Sequence, residues 1–184
     1  MVELIEPASA RLRLRQWRDS DRAPLAAMNA DGEVMEFFPA VLTRADSDAG
    51  FERLAAHIER HGWGFWALRR RVDGVFVGFA GLKHVSAALP CAPAVEIGWR
   101  LARRYWGYGY ATEAARASLA VAFEQLDLAE VVSFTALTNL RSQRVMERLG
   151  MQREPLTFDH PLLPVGSPLR RHCLYRCRVN KWRR

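Results

Sequence analysis

The sequence predicts a mixed α/β or α+β domain. The order of its segments predicts the class, and its composition and length predict a single folded domain. Short segments with alternating or continuous apolar residues, typical of strands, are interspersed with longer segments whose apolar residues recur at helical spacing. The 184 residues are 49% hydrophobic, which is enough for a core and too much for a disordered chain. The length suits one domain, which we expect to span residues 1–184.

Four segments carry the features of helices. Residues 19–29 form the first, with Asp19, Ser20 or Asp21 as the expected cap. The second begins after Thr43, in a segment that resembles a capping box. A small, apolar face predicts the third over residues 111–126. The fourth covers residues 140–149, where the glycine that follows fits a helix C-cap.

Seven segments read as strands. They are residues 10–17, 63–71, 75–83, 94–101, 131–137, 151–158 and 171–179. The second and third flank the turn 72–74, which indicates a hairpin. In the fourth, alternation places Glu96, Gly98 and Arg100 on one face and their apolar neighbours on the other.

Composition narrows the classes of function. The net charge is +7, and only Lys83 and Lys181 are lysines, so almost all of the positive charge is arginine. Nucleic acid, a phosphate-bearing cofactor or an acidic protein would each suit such a surface. The arginines are spread through every element, which counts against a nucleic-acid module.

Location and metal content follow from what the sequence lacks. No apolar run reaches the roughly 18–20 residues of a membrane span, and the first 15 residues lack the apolar segment of a signal peptide. We therefore expect a cytoplasmic protein without membrane association. Cys173 and Cys177 lie four apart in a predicted strand, roughly 13 Å from each other and too far for a disulfide, so we expect reduced thiols. No CxxC pair exists, so we expect no metal.

The segment from Arg104 to Ala111 is the most informative part of the sequence. It lies between a predicted strand and a predicted helix and contains Gly107 and Gly109. The unpaired N–H groups and the dipole of a helix N-terminus favour an anion, and glycine lets a phosphate approach the backbone closely. The spacing alone also fits a simple tight turn. It matches neither a dinucleotide fingerprint, because position 112 is threonine, nor a Walker loop.

A resemblance extends this observation. Val95 to Ala114 resembles the central motif of the GCN5-related N-acetyltransferase (GNAT) superfamily, including its R-x-x-G-x-G signature. Residues 139–151 resemble the last helix of that family. Phe37-Phe38-Pro39, followed by the Thr43 cap, resembles the RimJ/RimL-like branch. The resemblance implies a mostly antiparallel, splayed sheet of about seven strands flanked by about four helices.

The resemblance also implies an activity. Members of the superfamily transfer an acetyl group from acetyl-coenzyme A (acetyl-CoA) to a primary amine, and the RimJ/RimL branch acts on protein N-terminal α-amines. A small-molecule amine is the alternative acceptor. Two non-enzymatic alternatives are an acetyl-CoA sensor and a nucleic-acid-binding module. By the same resemblance, a homodimer is a fair expectation.

The implied cofactor site lies along the central motif. The backbone around the glycine turn should bind the pyrophosphate, and the pantetheine arm should lie like an extra strand between the fourth and fifth strands. The residues expected there are Trp99, Leu101, Arg104, Trp106, Gly107, Tyr108, Gly109, Tyr110 and Ala111, with Asn139 and Ser142 from the last helix.

Candidate catalytic residues follow from the needs of acetyl transfer. The amine must lose a proton, directly or through one water, and Glu96 is the first candidate for the base. His172 is the second, since an ordinary histidine pKa of about 6.5 suits a base. Many family members have a tyrosine that acts as general acid at the position of Met146. Because methionine cannot donate a proton, we assign proton donation to the thiolate to Ser142, with Asn139 orienting it.

The acceptor pocket is the least diagnostic part of the sequence. We expect Phe37 and Phe38, together with His172, to lie against the acceptor amine.

Overall fold

A seven-stranded sheet organises residues 2–182, the part of the chain that the computed structural model describes. Its strand order is β1-β2-β3-β4-β5-β7-β6. The strands are β1 Leu12–Arg15, β2 Phe65–Arg70, β3 Phe76–His84, β4 Val95–Leu101, β5 Glu130–Ala136, β6 Gln152–Asp159 and β7 Arg171–Arg178. All neighbouring pairs are antiparallel except β4 and β5, which run parallel. The predicted fold class is confirmed.

Four α-helices accompany the sheet within residues 2–182. They are α1 Arg22–Asn29, α2 Arg44–His61, α3 Tyr110–Glu124 and α4 Leu140–Arg148. Helices α1 and α2 pack against β3 and β2, α3 packs against β3 and β4, and α4 contacts β5 and α3. Most of the buried hydrophobic residues form a large core around the fully buried Trp66, and a smaller cluster includes Val132 and Leu174.

The start of α1 corrects one expectation. Asp21 occupies the N-cap position, but its side chain makes no cap hydrogen bond, nor do Asp19 or Ser20 serve as the cap. Its carboxylate instead accepts two hydrogen bonds from the Arg15 guanidinium, at 2.7 and 2.9 Å, and one from the Arg18 N–H at 2.9 Å. Asp21 is fully buried, and leaving a buried carboxylate without a cation costs more free energy than leaving a helix without a side-chain cap.

The ends of α2 and α4 agree with the sequence. The Thr43 hydroxyl oxygen accepts a hydrogen bond from the Asp46 N–H at 3.1 Å, as an N-cap should. The reciprocal half of the capping box is missing, because the Asp46 carboxylate accepts from the Thr43 hydroxyl rather than from its N–H. Gly150 follows the α4 C-cap with a left-handed φ of +74°, as predicted.

The junction between β4 and β5 positions the site. Along β3 and β4 seven residue pairs are in register, whereas β4 and β5 share a single pair, Glu96 with Val132. Because the two strands start side by side and pair only once, residues 97–101 and 133–136 diverge. The sheet is therefore splayed at the carboxyl ends of its two parallel strands, where α3 and α4 begin.

No helix within residues 2–182 combines the length and the apolar character that crossing a bilayer requires.

Candidate active site

A cavity of about 1090 Å³ lies where β4 and β5 diverge. Its walls come from both strands, the first residues of α3 and α4, and the loop 31–43 between α1 and α2. The cavity therefore connects the glycine turn to the face of the sheet that carries Glu96.

The glycine turn presents a cluster of free backbone donors. Gly107 and Gly109 have left-handed φ angles of +82° and +80°, and Gly109 is the N-cap of α3 without a capping side chain. Within residues 2–182, no acceptor pairs with the N–H groups of residues 107–112, and the first bond of the helix runs from Glu113 N to Gly109 O at 3.0 Å. A Cβ placed on Gly107 would meet no atom within 4 Å. This arrangement can accommodate an anion close to the backbone.

Most of the predicted cofactor residues line the cavity. These are Trp99, Leu101, Trp106, Gly107, Tyr110, Ala111, Asn139 and Ser142. Three others, Arg104, Tyr108 and Gly109, do not line it. The exposed Arg104 guanidinium lies 5.0 Å from the Tyr105 ring, and Tyr108 stacks on Tyr110. The role predicted for this turn concerns its backbone, which does not require these three side chains to line the cavity.

Asn139 and Ser142 form a tight unit at the start of α4. Asn139 is the N-cap, and its Oδ1 accepts a hydrogen bond from Ser142 N at 3.1 Å. Its Nδ2 donates to Thr135 Oγ1 at 2.9 Å and to Ser142 Oγ at 3.1 Å. Because the Ser142 oxygen accepts from this amide, its own hydroxyl hydrogen remains available to a further acceptor in the cavity.

Met146 lies one turn further along α4 and is 1% exposed, in the cavity wall. Its thioether holds no proton to donate, so Ser142 is the nearest hydroxyl on this helix within the described residues.

Glu96 lies at the only residue pair between β4 and β5, and its side chain lines the cavity. Within residues 2–182 its carboxylate has no hydrogen-bond or salt-bridge partner. Burial raises the pKa of this carboxyl from 4.5 to about 7, against a smaller opposing effect of Lys83, its cross-strand neighbour. A carboxyl with this pKa exchanges a proton near neutral pH, as a general base must.

His172 lies across the divergence, on β7. Its Nδ1 lies 3.1 Å from the Arg170 carbonyl oxygen, and its ring centroid lies 5.0 Å from that of His160. Burial, with a smaller contribution from His160, lowers the pKa of His172. A neutral ring with its proton on Nδ1 presents Nε2 as an acceptor.

Phe37 and Phe38, the predicted acceptor-side residues, both line the cavity from the loop 31–43. The Phe37 ring lies 5.4 Å from the Arg141 guanidinium, and Phe38 is 37% exposed.

Three arginines of α4 line the same cavity and had no predicted role. Arg141, Arg144 and Arg148 follow one another at intervals of three and four residues, which places them on one stripe of the helix. Arg141 forms a salt bridge with Glu36 and lies 4.6 Å from the Trp106 ring. The spacing was readable from the sequence, but a charged helical stripe ordinarily indicates only a solvated face.

A splayed sheet with a turn of free N–H groups beside a cavity is the arrangement expected of a protein that holds a phosphate-bearing carrier between two parallel strands. Residues 11–152 match the family model described as an acetyltransferase (GNAT) domain. The chain therefore belongs to the GNAT family and is an N-acetyltransferase, an acyltransferase. Acetyl-CoA is the acetyl donor of this family.

Relatives and solved structures agree with this assignment. YkkB of Bacillus subtilis, an uncharacterised protein, is 30% identical over 142 residues, which cover 77% of this chain and 81% of YkkB. An FsC-acetyl coenzyme A-N(2)-transacetylase of Aspergillus fumigatus is 36% identical over 106 residues, covering 53% of this chain and 43% of the relative. The structure of RimL, a ribosomal α-N-protein acetyltransferase in complex with coenzyme A, aligns with a TM-score of 0.73 at 17% identity. That alignment covers 95% of this chain and 98% of RimL, and it shows a shared fold.

Proposed function

We propose that the protein transfers the acetyl group of acetyl-CoA to a protein N-terminal α-amine, by direct attack of the amine on the thioester. The divergence of β4 and β5 beyond the Glu96–Val132 pair carries the proposal. It opens a path from the free N–H groups of residues 107–112 to the Glu96 carboxyl.

The residues around this path fit the chemical groups of acetyl-CoA. The free N–H groups suit the pyrophosphate, and the arginine stripe Arg141, Arg144 and Arg148 adds positive charge beside them. Beyond Glu96, the edge of β4 that faces β5 lacks a strand partner and can pair with the amides of the pantetheine arm. The Leu101 carbonyl already accepts from the Trp106 indole at 2.9 Å, so this pairing falls on residues 97–100.

Glu96 acts as the general base. A free α-amine has a pKa of about 8, whereas lysine has a pKa of about 10.4. Glu96, with a pKa of about 7, is nearly matched to the α-amine and more than three units below lysine. The pKa of the base thus favours an α-amine acceptor. His172 Nε2, on β7 at the other side of the divergence, is the second candidate to accept the proton of the amine.

Ser142 donates a hydrogen bond to the sulfur of the departing thiolate. Asn139 fixes the Ser142 oxygen and leaves the hydroxyl hydrogen free, which defines Asn139 as a positioning residue. In this way the start of α4 supplies the proton-donating group that Met146 cannot.

The acceptor enters beside Phe37 and Phe38, where the loop 31–43 borders the cavity. The shared fold with RimL supports a protein N-terminus as acceptor. The similarity to the Aspergillus transacetylase favours the second candidate, a small-molecule amine.

An acceptor panel tests the proposal by the release of free thiol from acetyl-CoA. The panel contains peptides with a free N-terminus, N-terminally blocked lysine peptides, amino acids, polyamines and aminoglycosides. We expect the highest kcat/KM with free N-terminal peptides. A higher kcat/KM with a small amine would show that the acceptor is a small molecule and not a protein N-terminus. Any amine-dependent thiol release would eliminate the alternative that the protein is a sensor of acetyl-CoA.

A further inference from the structure

The acceptor side of the cavity carries more cationic than acidic side chains. Arg53, Lys83 and Arg100 line it, and among residues 2–182 none of the three forms a salt bridge. Glu96 is the only acidic side chain among the lining residues. A cavity of this charge disfavours a polycationic acceptor and attracts an acidic one.

Arg100 is the most buried of these three cations. It lies on β4, on the face that also carries Glu96, and its guanidinium lies 4.0 Å from the Phe38 ring centroid and 5.2 Å from that of Phe79. Its Nη1 donates to Asn29 Oδ1 at 2.8 Å, and its Nε is buried without a hydrogen-bond partner. Burial lowers the pKa of Arg100 to about 10, so it remains protonated at neutral pH. A buried cation with an unpaired donor is costly unless an anion completes its surroundings.

The orientation of the guanidinium is fixed by a second interaction. Asn29 is 4% exposed and donates from Nδ2 to Ser47 Oγ at 2.9 Å, which holds its oxygen toward Arg100. With Nη1 committed to Asn29, the Nε and Nη2 edge is left, and this is an edge on which guanidinium binds a carboxylate with two parallel hydrogen bonds.

We propose that Arg100 binds an acidic group of the acceptor, so that the enzyme selects amines that carry a carboxylate a few bonds away. This inference rests on the proposed function, whose acceptor class it narrows. Glu96 and Arg100 are four residues apart on one face of a strand, so their Cα atoms are separated by roughly 13 Å. Gly98 lies between them without a side chain, and a Cβ there would lie 3.1 Å from the Phe65 ring. The separation suits a peptide whose first or second residue is acidic better than an α-carboxylate next to the amine.

Matched acceptors test this inference in the full-length enzyme. Two peptide pairs differ only by Asp or Asn, at the first position in one pair and at the second in the other. Free aspartate and asparagine form a third pair, which separates a peptide side chain from a free amino acid as the source of the carboxylate. We expect kcat/KM for the acidic peptide to exceed that of its amide partner by roughly 10- to 150-fold in at least one peptide pair, as charge-assisted hydrogen bonds imply.

Variants assign the preference to Arg100. In Arg100→Gln the ratio of acidic to amide kcat/KM should fall to about one, and in Arg100→Lys, which keeps the charge but loses the fork, it should fall only in part. The control Arg13→Gln removes an exposed arginine that does not line the cavity and should leave the ratio unchanged.

Each outcome separates the two proposals. Equal kcat/KM within every pair of the wild-type enzyme overturns the role of Arg100, and so does a preference that survives in folded Arg100→Gln. Peptides acetylated without any acidic preference would leave the proposed function standing. If all peptides are inert and free aspartate is acetylated in an Arg100-dependent manner, Arg100 binds the acceptor carboxylate as proposed, but the acceptor is not a peptide. The wild-type comparison decides even where a variant does not fold.

Discussion

Replacing Glu96 by glutamine should change activity and stability in opposite directions. Loss of a general base lowers the rate by about 10²- to 10⁴-fold, and we expect this loss in kcat/KM at pH 8. In the wild-type enzyme Glu96, with its pKa of about 7, must be deprotonated to take a proton from an α-amine of pKa about 8. Log kcat/KM should therefore level off above pH 7 in the wild-type enzyme, whereas in Glu96→Gln only amine that is already neutral reacts, and log kcat/KM should keep rising to about pH 8.

The same substitution should stabilise the protein at alkaline pH. The pKa of Glu96 is raised in the folded state from 4.5 to about 7, so its contribution to stability is fully present below pH 4.5 and is lost as the pH rises through 7. A difference of about 2.5 units at 1.36 kcal/mol per unit gives about 3.4 kcal/mol, and water in the open cavity reduces this to about 2–3 kcal/mol. Glu96→Gln should exceed the wild type by that amount in the free energy of unfolding at pH 8, and match it near pH 4.5.

Two measurements check this reasoning: the pH dependence of kcat/KM by thiol release, and urea unfolding at pH 4.5 and 8. Glu59→Gln, which changes an exposed glutamate outside the cavity, is the matched control and should alter neither. Parallel pH–rate profiles for wild type and Glu96→Gln would remove Glu96 as the base. A free energy of unfolding that does not depend on pH in the predicted way would show that its carboxyl is not buried as the structure has it.

Three further predictions concern the turn, the thiolate donor and the buried ion pair. Gly107→Glu should abolish acetyl-CoA binding, measured by calorimetry, without unfolding the protein. The control Gly166→Glu, at an equally open left-handed glycine outside the cavity, should bind acetyl-CoA normally. Equal affinities of the two variants would refute the role of the turn. Ser142→Ala should lower kcat by roughly 10- to 100-fold with little change in the KM for acetyl-CoA. An unchanged kcat would show that Ser142 is not the hydrogen-bond donor to the thiolate. Asp21→Ala should lower the free energy of unfolding by about 3–5 kcal/mol, because it leaves the Arg15 charge buried and unpaired; a loss below 1 kcal/mol in denaturant titration would contradict this.

The parts of the fold that depend on local pattern were predictable from the sequence. Alternation along β4 correctly assigned Glu96, Gly98 and Arg100 to one face, because the side-chain period of a strand is two whatever it packs against. The Thr43 cap and the glycine after α4 were also right, since both depend on one or two neighbouring residues.

The failures involve partners distant in sequence. Asp21 resembles a helix cap, and only the fold brings the Arg15 guanidinium into the same buried space. Arg100 and Asn29 are 71 positions apart in the chain, so nothing in the sequence pairs them. The raised pKa of Glu96 likewise depends on how closely other segments cover its strand, which no local pattern encodes.

The end of pairing between β4 and β5 accounts for both halves of the candidate site. Had pairing continued past Glu96, hydrogen bonds to β5 would occupy the β4 edge, and no strand-like ligand could lie there. Because pairing stops at Glu96, the carboxyl stands at the junction, buried by the sheet behind it and open to the cavity ahead. The same alternation then places Gly98, which the Phe65 ring covers, and Arg100 on the face that carries Glu96, so that one strand face presents a base and then a cation. An acceptor that carries a carboxylate can place it against that cation while its amine lies at the base, which is why the charge of the acceptor, more than its size, should govern selection at this site.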